Sequence, residues 1–600
     1  MARLISELFK SIGLVMSIGL VMSLGMVFCL GCKPSKSKQT AEQAIPDDTV
    51  QESKVENLRE AMRFLDNITQ YDRSQAIKEA GYQLNSWMAT DQNDVFSTKI
   101  PELVRSLPED VRRYAPLSRV DSREFTTADV QYVMQSRLFA SVAKWTSLAT
   151  ISDPIWANWI QKPEIDGGKE LSEEEASDLQ LAYRFFDWTI RNIQLEGDAM
   201  DVEVLPKDPR LPLNDRALGY RQTPWQTLIF GRGDFIERGR VFTELARQKN
   251  IPTVWLAVGK LDSLVPPSIW VIGVPIADEI FLFDSKLGIP IPGPNQVGIA
   301  TLRQVQQDES ILQRLSFSGR FKYALDFQGV QEVIALIDTD PSMIAGRMKR
   351  LQESLTSDLR TELYVDVDGL AERIGKLSKI QAVQGWPLSV MTRMYAEELE
   401  QRLKETNEFT ARYIQRNLHY IAQTLLIRAK YQHLMGRWEN SLDEQGAMAV
   451  YMRCRAPEED LANLAYDSEL QRAYDVARLP NEPQEKFAIR LAQAISIYRE
   501  AKVDATYLIG LLHFDQNNMD SSMNWLVKRA SDIRGSERWQ SSIWYNAARA
   551  YESRGEWNSA MELLRRTPSS QEAGNRLRAR LLQRVVGEGE ESSAEPTTGS

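Results

Sequence analysis

Across 600 residues the chain carries only three Cys and three His. A chain so poor in both cannot be stapled by a disulfide framework or by Cys/His metal centres, because each needs several such residues at close spacing. Its fold must therefore be held by buried apolar side chains. The apolar content of 43%, with 14 Trp, supplies them. At one domain per ~150 residues the length suits about four units. The positions restrict chemistry too. Cys29 and Cys32 stand near the start, and Cys454, His419, His433 and His513 in the last third. Neither residue type occurs between 33 and 418, so a Cys–His catalytic pair is excluded there, and no metal or other cofactor is expected. Nucleic acid is not an expected partner either, because a net charge of −10 opposes nonspecific binding to a polyanion.

Arg3 and Lys10 precede an uncharged run, Ser11 to Cys32, that ends Cys29-Leu30-Gly31-Cys32. The run resembles the leader of bacterial lipoproteins, in which a Leu and small residues precede a Cys that becomes lipidated. The resemblance implies a signal or anchor segment at 1–31 and lipidation at Cys32. The run is also long enough to cross ~30 Å of hydrocarbon as an uncleaved anchor helix. In both readings the body is held at a membrane of the cell envelope, on the exported, periplasmic side. The polar stretch 32–53 is expected to be a flexible tether. Residues 54–171 form a helical lead-in. Leu58, Met62 and Leu65, then Ile77, Ala80, Leu84 and Trp87, repeat at helical spacing. Thr127 is a candidate N-cap before the stripe Val130, Val133, Leu138, Val142 and Trp145.

Residues 172–300 are the most informative stretch. A helix closes on Trp188, Asn192 and Ile193. Leu228 and the turn Gly231-x-Gly233 follow, then a helix through Leu245 to Ile251-Pro252. Three β-type runs come next, Thr253–Val258, Ile269–Val274 and Glu279–Asp284, with patterns that suit a small antiparallel sheet. This order is similar to the transglutaminase-like superfamily, whose core is papain-like. The resemblance implies three triad positions: Phe235 in place of the nucleophilic Cys, Ser268 in place of the His, and Asp284 for the closing Asp. A thiol activated at a helix N-terminus and a base that takes its proton are both required for that chemistry. Phe and Ser supply neither, so no catalytic residue is expected from the triad. The cleft is then either filled by Phe235 or open as a non-cutting groove for peptide or glycan. A rebuilt site would have to draw on Asp234, Glu237, Ser268 and Asp284, or pair Ser268 with Lys260 or Lys286.

Residues 301–388 are expected to be a helical connecting region, with helices near 301–316, 328–338, 341–357 and 369–379 and a strand-like run from Leu363. Asp366 and Asp368 in this region are expected to be solvated. From 389 to 584 the pattern is helical throughout. Trp544, Ala547, Ala548 and Tyr551, then Ala560, Leu564 and Pro568, resemble the tetratricopeptide repeat, in which small residues let two antiparallel helices approach and large ones fill the gaps. Weaker copies surround Gly510 and Gly436. Residues 585–600 are expected to be a disordered tail.

The expected fold class is α+β: mostly helical, with a small antiparallel sheet in a transglutaminase-like core and a C-terminal helical repeat array. The expected function is a membrane-tethered envelope scaffold or adaptor with a catalytically silent module. It binds a protein partner through its C-terminal repeats. The alternatives are a peptidase or amidase with a non-thiol site in the same cleft, and a cell-wall glycan-binding protein.

Overall fold

The computed structural model describes residues 47–90, 100–105, 107, 109, 119–150, 153–165, 169–196, 222–259, 267–377, 379–392, 424–442 and 444–593, with side chains from 55 to 587. The anchor run, Cys32 and Lys260 lie outside the described residues. Among the described residues no helix is long and apolar enough to cross a membrane.

Helix α1 (Asp47–Asp66) starts inside the segment expected to be tether, with two acidic residues at its positive end. It packs on α2 (Arg73–Ala89), and both pack on α3 (Thr127–Thr146). The cap of α3 is Thr126, one residue before the expected Thr127. Thr126 forms a reciprocal box with Asp129, and that choice fixes the helix start. The same device starts α4 (Glu173–Asn192), through Ser172 and Glu175, and α5 (Pro224–Phe230), through Thr223 and Gln226. Helix α6 (Phe235–Arg247) follows the turn at Gly231–Asp234.

The sheet has six strands: β1 (Val254–Val258), β2 (Ser268–Ile276), β3 (Glu279–Asp284), β4 (Ile289–Pro290), β5 (Val333–Asp338) and β6 (Ile380–Trp386). Their order is β6-β5-β1-β2-β3-β4, antiparallel except for the β6–β5 pair. The class is α+β, and the sheet is mixed rather than purely antiparallel. Two of its strands come from the region expected to be a helical connector. Residues 328–338 are not a helix, because Val333–Asp338 is a central strand with Leu336 facing Trp255 of β1. A short apolar run buried on both faces has no alternation, so periodicity cannot tell it from a buried helix turn. The run from Leu363 forms no strand, and Val365 N–H donates instead to Met343 O. The central module therefore does not close at 300.

Helices α4 and α6 lie on one face of the sheet. Phe186 of α4, Phe242 of α6 and Phe283 of β3 meet as a ring triangle with centroids 5.1–5.3 Å apart. Gly239 permits this approach, since a Cβ there would stand 2.4 Å from the Trp255 ring. Helix α7 (Val367–Gly375) packs beside β5 and β6.

The C-terminal part is a succession of helices. Helix α8 (Thr424–Leu434) meets the helix Ala447–Arg453, which meets α9 (Gln484–Asp515). The segment Met519–Ala530 then leads to α10 (Gln540–Ser553), α11 (Trp557–Leu564) and α12 (Glu572–Ser593). Helix α12 runs on to Ser593, into the segment expected to be a disordered tail. One contiguous apolar core extends from Leu58 through the sheet to Leu582, so lead-in, module and array share an interior. A small separate cluster, Leu464, Val476, Phe487 and Leu491, sits under the first half of α9.

Candidate functional site

Phe235 opens α6 and Asp284 closes β3. Asp234 caps that helix, accepting from Ile236 N–H at 2.9 Å and Glu237 N–H at 2.8 Å. Glu237 reaches back to Asp234 N–H at 3.1 Å and also accepts from Gln222 N–H at 2.6 Å. The N–H groups that would polarise a thiol are therefore already bonded to the chain's own carboxylate. Phe235 is half-buried at the first helical position. Its carbonyl accepts from Ser285 Oγ at 2.8 Å, and the Lys286 ammonium stands 5.5 Å from its ring centre.

Asp284 closes β3 and is 3% exposed. Its Oδ1 accepts from Lys286 N–H at 2.8 Å and Leu287 N–H at 2.9 Å, which turns the chain at the strand end. Its Oδ2 accepts from the Tyr323 hydroxyl at 2.7 Å, and that hydroxyl accepts from Trp270 Nε1 at 2.8 Å. Burial pushes the Asp284 carboxyl up, opposed by the hydrogen bonds from Leu287 and Tyr323. The β2 ladder has one extra residue at Trp270, because Val271 faces Leu256 and Ile269 faces Ala257. Such a bulge re-aims a side chain, and here the indole reaches the Asp284 side of the sheet. Ser268 is exposed at the first position of β2. Phe283 faces Ile272, so Asp284 lies beside Val271. At ~3.3 Å per residue that is about 10 Å along the strand from Ser268. The structure thus joins Asp284 to Tyr323 and Trp270 and leaves Ser268 apart from it. Asp234 and Glu237 are spent on capping.

Removing the hydroxyl in Tyr323→Phe orphans a buried indole N–H and one oxygen of a buried carboxylate. We expect a stability loss of about 1–3 kcal/mol, measured by urea unfolding at pH 7. A loss near zero would mean that water replaces the hydroxyl.

A second constellation joins the array to the module. Asp153 accepts from Arg578 at 2.9 Å and pairs with Arg549 at 3.1 Å, and the Tyr183 hydroxyl donates to it. Glu552 bonds both arginines at 2.9 Å, and Arg549 also bonds Asp187 of α4. Arg191, one turn on, pairs with Asp187 at 3.0 Å and Asp515 at 3.2 Å. Asp515 in turn meets His433 Nε2 at 3.1 Å, and His433 Nδ1 lies 3.3 Å from the Tyr451 hydroxyl. Burial holds the His433 imidazole below its usual value, opposed by its bond to Asp515. Asn546 donates to the Arg191 carbonyl at 2.9 Å, and Gln194 to the Arg538 carbonyl at 2.6 Å. The face that the array turns toward α4 is therefore filled by the chain's own module. His513 lies within α9, and His419 is outside the described residues. The Cys454 thiol is buried and pushed up to about 12, so it is inert at neutral pH.

Periodicity and motif order could not reveal Tyr323, Asp153, Arg549 or Arg578, which act across 39 to 425 residues of chain. Among the described residues no group of three or more His, Cys, Asp and Glu side chains is placed to hold a metal ion. Compared with protein-family models, curated proteins and solved structures, the chain matches none.

Proposed function

We propose that the chain is a membrane-tethered, non-enzymatic scaffold of the cell envelope, built on a silent transglutaminase-like module. It binds a protein partner through the outer surface of its C-terminal helical array. One observation carries the reading. The position where a thiol would attack holds Phe235, and the acid that would orient its base is already bonded by Tyr323 and two backbone amides. The partner surface follows from what remains open. The array's inner face is occupied by α4. Of ten exposed large apolar side chains among the described residues, five fall between 442 and 489: Leu442, Met452, Tyr466, Leu479 and Ile489. We assign the partner contact to this segment on the exposure of these five side chains.

The test is capture from detergent-solubilised membranes with the full-length tagged chain. A specific partner should be retained by Asp284→Asn and lost when Tyr466→Ser and Leu479→Ser are combined. Retention in the double variant would overturn the assigned surface. An amide- or peptide-hydrolysing activity that disappears in Asp284→Asn would overturn the scaffold reading in favour of an enzyme. Pull-down on envelope polysaccharide that survives the double variant would favour a glycan-binding role.

A further inference from the structure

At the far end of α6 from Phe235, a cavity of 380 Å³ opens between the last turn of that helix, the start of β1, the end of β5 and α7. This size is within the range of small-ligand sites. Its floor is apolar, with Trp255, Ile337 and Met343 at 3%, 3% and 5% exposure. Most of the charge on its wall is already matched. Glu244 is paired with Arg247, and Asp338 accepts from Ser389 N–H at 3.3 Å and Ser389 Oγ at 2.8 Å.

Two charged groups at the rim differ from these. Asp366 caps α7 by accepting from Gly369 N–H at 3.0 Å through Oδ1, which fixes the carboxylate while Oδ2 makes no hydrogen bond among the described residues. Arg373 donates one N–H to Pro275 O at 3.1 Å and has Asp178 within electrostatic range, but makes no ion pair within 4 Å among the described residues. Both side chains are exposed. Positions seven apart on a helix share a face, and a rise of 1.5 Å per residue separates them by about 10 Å. Three extended residues span about the same distance. Gly369 stands between them with the Asp366 carboxylate lying over it, since a Cβ there would meet Asp366 Oδ2 at 2.4 Å, and Leu370 stands beside it at the cavity.

We propose that this cavity binds a short peptide of about three residues with free termini. Its ammonium group pairs with Asp366, its carboxylate with Arg373, and its central apolar side chain rests on Trp255. The assignment does not rest on the scaffold reading, since it uses none of the residues near Phe235 or on the array surface.

The test is calorimetric titration of the full-length chain with Ala-Leu-Ala and Ala-Phe-Ala, each also as its N-acetyl and C-amide form. A charge-assisted hydrogen bond lost at either terminus should weaken binding by at least about tenfold. Arg373→Gln should weaken the free acid and leave the amide unchanged. Asp366→Asn keeps the helix cap, because Asn caps as well as Asp, and should remove the preference for a free amino terminus alone. Saturable binding with this pattern supports the site. No saturable heat up to about 10 mM with either peptide, a value at the weak end of specific affinity, would overturn the proposal. Equal binding of free and blocked peptides would also overturn it, as would equal losses for both forms in the variants.

Discussion

Arg549→Leu is expected to cost about 3–5 kcal/mol, because it removes one partner of a buried ionic group and strands the others. Arg549 is 5% exposed and serves three carboxylates, Asp153, Asp187 and Glu552. Arg578 and Arg191 remain, but Arg578 is already committed to Asp153 and Glu552, and Arg191 to Asp187 and Asp515. The variant therefore carries an excess of buried negative charge exactly where α10 and α12 meet α4. The pH dependence provides an independent check. Burial alone would raise the Asp187 carboxyl, but Arg549 and Arg191 outweigh it and hold the group below its ordinary value of 3.8. A depressed carboxyl stabilises the fold fully above its unfolded value and loses that contribution as the pH falls through the folded one. Without Arg549 this contribution is smaller at neutral pH. The gap between wild type and variant should thus be widest at pH 7 and narrow as the pH falls below 3.8. Urea unfolding at both ends of that window measures it. A neutral-pH loss below about 1 kcal/mol would show that solvent reaches the group and screens it, as it does at a surface pair.

How much of this was legible in the sequence depends on how far each cause reaches along the chain. Helix starts are local, and the caps at Asp72, Thr126 and Ser172 sit where short polar residues precede helical periodicity. The strands β1 to β3 follow one another through short connections, and their runs were readable to within a few residues. Strand β5 was not, because its partners β1 and β6 lie far away in sequence and its own run is apolar on both faces. The ends of the module show the same limit. Resemblance singled out Phe235, Ser268 and Asp284 as triad positions, but not the residue that engages Asp284, since Tyr323 arrives from a loop 39 residues on. The periodicity of the last third showed helices that need a neighbour. It did not show that the neighbour is α4, because ion pairs such as Asp187–Arg549 carry no local pattern.

Gly574→Ala sets a local preference against this long-range packing, and the packing should win. Gly574 is the third residue of α12, where Ala is the better helix former by about 1 kcal/mol. An isolated α12 would gain from the change. In the folded chain a Cβ at this position would stand 1.6 Å from the Leu287 carbonyl oxygen and 2.6 Å from its carbon. Neither side can yield cheaply. Leu287 is held in its turn by its N–H bond to Asp284 Oδ1, and Asp284 is held in turn by Tyr323. Helix α12 is held by buried Leu577, Leu581 and Leu582 and by Arg578 on Asp153 and Glu552. Gln571, one turn earlier, already fills the space over Gly288. Overpacking against side chains costs about 1–3 kcal/mol, and a backbone carbonyl cannot rotate away as a side chain can. We expect a net loss of about 3 kcal/mol, read as a lower urea midpoint, with α12 becoming the first segment cut by limited proteolysis. An unchanged or raised midpoint would mean that helix propensity governs and that α12 is not seated on the Leu287 turn. The alanine thus tests whether the array is anchored at the strand end beside Phe235, a contact that joins it to the module in addition to the Arg549 and Arg578 ion pairs.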